Sequence, residues 1–124
     1  MIVYRVQNAK GTGPFQGSVM GLVKLWEDGP TPREDGLEGS MADMHCGVGE
    51  PYYLPQWFPQ PHSLRARGFT LTVWDVPDDH AEWLRHQAVF ARDAATLIAT
   101  LVLPDVWDEA FLSSLEELAT KAYV

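Results

Sequence analysis

The sequence predicts an α+β fold. One small domain, residues 1–124, is expected to hold a mainly antiparallel central sheet, short helices and an amphipathic C-terminal helix. Three observations predict it. Phe69 to Val76 alternates, with Phe69, Leu71, Val73 and Asp75 on one side and Thr70, Thr72, Trp74 and Val76 on the other. That period of two, rich in β-branched and aromatic residues, marks a strand. Two further apolar runs, Gln87–Arg92 and Ala95–Leu103, follow within a short span and supply more strands. The last stretch, 106–122, then changes to helical spacing.

Taken from the start, Ile2–Gln7 alternates Ile2, Tyr4, Val6 against Val3, Arg5, Gln7, and is expected as the first strand. Asn8–Gly17 is rich in glycine and turns; it lacks both the Gly-Lys-Ser ending of a phosphate loop and the spacing of a dinucleotide fingerprint. Gly17–Trp26 has the spacing of a short helix, with Val19, Met20 and Val23 inward. Residues 27–45 carry two prolines, three glycines and six carboxylates, the composition of a long acidic surface loop. Pro51 suits the first turn of a helix, and Leu54, Trp57 and Phe58, with the tyrosines Tyr52 and Tyr53, form an aromatic cluster expected in the core. Pro59 stops that helix. A second turn follows, with Leu64 inward and Gly68 as its cap.

Pro77–His86 reads as a polar connection. Its His80, Glu82 and His86 fit either acid–base chemistry or a solvated loop. Ala95–Leu103 is nearly continuous apolar, as in a strand buried on both faces, a pattern that periodicity alone does not separate from a buried helix. In the final stretch Val106, Ala110, Phe111, Leu115, Leu118 and Ala119 share one side, and the acids lie outside.

Composition narrows the function classes. Acids outnumber Lys and Arg 17 to 9, a net charge of −8, which argues against a nucleic-acid ligand. The same charge suits a protein that occupies a basic groove on another protein, or serves solubility alone. No apolar run approaches the roughly 20 residues of a membrane span, and the N-terminal residues lack a signal-peptide pattern. Cys46 is the single cysteine, so the host-cell cytoplasm is the expected compartment. No metal is expected, because His45 and Cys46 adjoin and no partner pair stands at zinc spacing. Arg5, mid-strand among apolar residues, either packs its stem on neighbours or holds an anion with its planar fork.

Some stretches resemble a known group. Tyr4-Arg5-Val6-Gln7 followed by Gly11-Thr12-Gly13-Pro14-Phe15, then Cys46-Gly47, Trp57-Phe58, Gly68-Phe69 and Gln87-Ala88-Val89-Phe90, stand in the order found in short bacteriophage and prophage proteins. The resemblance covers roughly residues 1–17 and 46–92. The order of parts is also similar to small ADP-ribosyltransferases. That likeness implies a catalytic pair, Arg5 and Gln87, and a cofactor site of Tyr4, Arg5, Gly13 and Trp57 that would take NAD. In it Gln87 occupies the place of a glutamate, and a neutral amide cannot oppose the positive charge that develops at the ribose carbon.

Two functions follow. One is a phage or mobile-element accessory protein that needs no cofactor and inhibits a host protein, of anti-CRISPR type, by presenting acidic surface to a basic one. The other is an NAD-dependent mono-ADP-ribosyltransferase, or a degenerate relative, acting on a host protein. A packaging accessory is a third outcome.

Overall fold

The computed structural model describes residues 1–13, 36–37 and 44–121. It is an α+β domain with two antiparallel three-stranded sheets and a C-terminal helix. The strands are β1 (Ile2–Gln7), β2 (Met44–Gly47), β3 (Thr70–Asp75), β4 (Ala81–Trp83), β5 (Ala88–Ala91) and β6 (Thr96–Val102). The helices are α1 (Leu54–Trp57), entered through a 3₁₀ turn at Pro51–Tyr53, α2 (Pro61–Ala66) and α3 (Glu109–Lys121). One sheet runs β1-β3-β6 and the other β2-β5-β4. The three strand candidates between Gly68 and Leu103 therefore divide: β3 and β6 share a sheet, and β5 joins the other.

β1 is the wall between two cores. Its alternation sends Ile2, Tyr4 and Val6 to the helix side, where they meet Leu54, Leu71 and Leu115. Val3 points the other way, to Val76, Ala88 and Phe90 of the second cluster. Beyond β2 the chain closes onto β1. Tyr4 and Val48 exchange both backbone hydrogen bonds, at 2.8 and 2.9 Å. The approach demands glycine at position 47, because a Cβ there would sit 2.6 Å from the Tyr4 carbonyl oxygen and press on the Val3 side chain.

Local signals set the helix ends. Gly68, at φ +88°, closes α2: its N–H donates to Arg65 O, and the Phe69 N–H reaches back to Leu64 O at 3.1 Å. Leu64 and Phe69 are both buried, the apolar contact that accompanies this cap. Asp108 caps α3 by accepting from the Phe111 N–H at 2.8 Å. Leu112 and Leu115 are buried, and Phe111, Leu118 and Ala119 pack beside them. Val106 and Ala110, expected inward, are exposed: Val106 precedes the helix, which starts only at Glu109, and Ala110 falls off the face that Leu112 and Leu115 bury.

Three more expectations change, and one falls outside the described residues. β2 takes Met44 and His45 from the stretch expected as acidic loop, and most of 27–45 lies outside the described residues. The expected helix at 17–26 also lies outside them. Pro77–His86 holds β4, which turns back on β5 through a tight hairpin closed by the Leu84 N–H to Gln87 O at 2.8 Å. Among the described residues β6 is an edge strand rather than one buried on both faces, with Leu97 47% and Val102 71% exposed. Its register shifts opposite Val73 and Trp74, so Ile98 is inserted as a bulge. The bulge puts Ile98 and Ala99 together on the helix side, which hides the period of two.

Candidate interaction face

Arg5 leaves β1 on the face opposite Tyr4. Each of its three guanidinium nitrogens donates to a protein oxygen. Nε meets Gln7 Oε1 at 3.1 Å, Nη1 meets Cys46 O at 2.9 Å, and Nη2 meets Gly11 O at 3.0 Å. Gly13 lies against the same group, with its Cβ position 3.4 Å from Nη2. The arginine thus ties β1 to β2 and to the turn after β1. Burial lowers its pKa from the usual value and raises that of the Cys46 thiol, which the Arg5 charge partly offsets.

His45, on the Phe90 side of β2, is buried against Phe90 and Trp74, at ring-centroid distances of 5.7 and 6.1 Å. Its pKa is lowered to about 4 by burial first, and then by the charges of Arg5 and Arg92. The imidazole is therefore neutral near pH 7.

Two of the residues named for a cofactor, Tyr4 and Trp57, lie in the helix-side core, and Gln87, named as catalytic, sits at a hairpin. Tyr4 donates its hydroxyl to Leu115 O at 3.1 Å inside the helix-side core. Burial, helped by Glu50 and Glu116, pushes that hydroxyl up to about 12. Trp57 is buried in the same core. Gln87 is buried at the hairpin between β4 and β5. The structure brings Arg5 and Gly13 together and sets Tyr4 and Trp57 on the opposite side of β1.

The exposed aromatic residues gather in a different place. The turn Gly49–Tyr53 follows the Val48 bridge and carries Tyr52 and Tyr53, 44% and 50% exposed. The expectation that both join the core fails here; of the four aromatic residues only Trp57 and Phe58 are buried. The 3₁₀ turn breaks the 3.6-residue period before α1 begins, so the tyrosines fall outside its apolar face. Trp83 of β4, 58% exposed, lays its ring over Gly49, where any Cβ would collide with it. On the other flank stands α3. The Tyr52 hydroxyl donates to Glu109 at 3.1 Å, and hydrogen bonding to Glu116, then Glu109, raises its pKa. Glu50 is exposed beside Tyr52. The turn thus carries two exposed tyrosines, with Trp83 against Gly49 and the acids Glu109 and Glu116 against Tyr52; exposed rings supply rigid contact area and acids supply charge for a cationic protein surface.

Among the described residues no group of three or more His, Cys, Asp and Glu is placed to hold a metal, and no helix is long and apolar enough to cross a membrane. The groove along α3 between Ser113 and Lys121 is open and shallow. Fold and site together define a small two-sheet α+β protein with an exposed aromatic–acidic face. Its lineage is phage. The family model of the bacteriophage T4 Y00F protein matches residues 1–103, and the chain belongs to that family. No curated protein and no solved structure matches the chain. The match includes the Gly49–Tyr53 turn and Trp83, and it stops short of α3, which supplies Glu109 and Glu116.

Proposed function

We propose that this phage protein is an accessory protein that binds a host protein and inhibits it, as an anti-defence inhibitor of the anti-CRISPR kind. The observation that carries the reading is the exposure of Tyr52, Tyr53 and Trp83 at the 49–53 turn, with Glu109 and Glu116 against Tyr52, on a chain of net charge −8. Half-exposed Tyr and Trp are the residue types that most often carry binding energy at protein interfaces. The partner presents Lys and Arg around an apolar seat. The alternative, an NAD-dependent transferase, asks Arg5 to hold an anion, and three of that guanidinium's five N–H groups already donate to protein oxygens.

The test is affinity capture from host extract with the wild type and a Tyr53→Ala/Trp83→Ala variant. The expected result is a host protein retained by the wild type, lost with the variant, and released between about 50 and 500 mM salt. A partner that the variant holds equally well, or that high salt does not weaken, removes this face from the account.

A further inference from the structure

Among the described residues β6 is the outer edge of the helix-backed sheet, and its sequence gives that edge little protection. Thr96–Val102 reads TLIATLV, seven residues without a charge or a proline. Among the described residues, its only strand partner is β3. Natural sheets blunt such edges with lysine, proline, bulges or very short strands. The bulge at Ile98 is one such device, but from Ala99 to Val102 the strand runs in regular register with Val73 to Thr70. Leu97, Thr100 and Val102 stand exposed on the side away from the helices.

We propose that this edge pairs with the same edge of a second copy, antiparallel about a two-fold axis, so that two three-stranded sheets merge into one of six strands. The charge distribution selects the occupant. Two copies of net charge −8 repel over most of their surfaces, and β6 is a neutral strip along which they can approach. In the two-fold pair, uncharged Thr, Leu and Val side chains meet their own kind, so no like charges oppose one another. A basic partner gains nothing from an uncharged strand. β6 is also the far edge of the sheet from β1, which carries the bridge into the Gly49–Tyr53 turn, so both surfaces can be occupied at once. A strand pair buries less than the roughly 1,600 Å² of a standard interface, so the dimer is concentration-dependent.

The test is sedimentation equilibrium of the intact chain across a concentration series. The average mass is expected to rise from one chain toward two. Added salt should strengthen the association, because it screens the repulsion between the copies; this is the opposite sign to that expected for the host partner. Val102→Lys should raise the dissociation constant at least about tenfold, even though it makes the chain less negative and so weakens the repulsion between copies. Tyr53→Lys makes the same charge change on the aromatic–acidic face and should leave self-association intact. A monomer at every concentration overturns the proposal, as does a dimer that Val102→Lys leaves unchanged or that Tyr53→Lys abolishes equally. Should Val102→Lys disturb the fold, hydrogen exchange of the wild type decides: β6 amides should exchange more slowly as concentration rises, and concentration-independent exchange overturns the proposal.

Discussion

Arg5 and His45 show how single side chains hold the two sheets together. A guanidinium out of water is costly unless each nitrogen finds an acceptor, and Arg5 finds Gln7, Cys46 and Gly11. Both readings of Arg5 were open in the sequence. The acceptors that favour the structural one are mostly backbone carbonyls, which have no residue signature. His45 adds a pH dependence. Its folded pKa of about 4 lies below the unfolded value of about 6.5, so the unfolded chain binds the proton more readily. This contribution to stability is present above pH 6.5 and is lost as pH falls toward 4. After discounting for solvent it amounts to about 1–2 kcal/mol. Urea unfolding at pH 7 and at pH 4.5 should show the wild type losing that much more than His45→Phe over the same interval. Equal losses would mean that the imidazole is not held neutral.

At the scale of elements, length decided what could be read. β1 and β3, six residues each, show their alternation in the sequence and form where expected. β2 and β4 have four and three residues, too few to display a period, and exist because β5 lies between them and pairs with both. β6 was legible as a strand but not as an edge, because its bulge merges two faces into one apolar run. The α2 cap was legible, since a glycine after Leu64 and before a buried Phe69 has few other uses. At φ +88° Gly68 has open space around a Cβ, so only backbone strain opposes a side chain there. Gly68→Ala should therefore cost about 1 kcal/mol in denaturant unfolding, with an unchanged denaturant slope. No loss of stability would mean that the left-handed cap is not kept in solution.

On the scale of the whole molecule, β1 separates two cores and the acidic exterior carries the functional argument. Net charge pointed to a basic partner from the sequence alone, but not to the docking face. Tyr52 and Tyr53 looked like core residues until the 3₁₀ turn placed them outside, and Trp83 became informative only once β4 laid it over Gly49. Such a face is assembled from the 49–53 turn, β4 and α3, which are distant in sequence and share no motif. Its carboxylates offer the most direct measurement. A zero-length reagent that couples carboxylates to amines, applied to the complex captured from host extract, reports which acids touch partner lysines. The account predicts links from Glu50, Glu109 or Glu116. Links confined to other acids, such as Asp78 or Asp93, would contradict it.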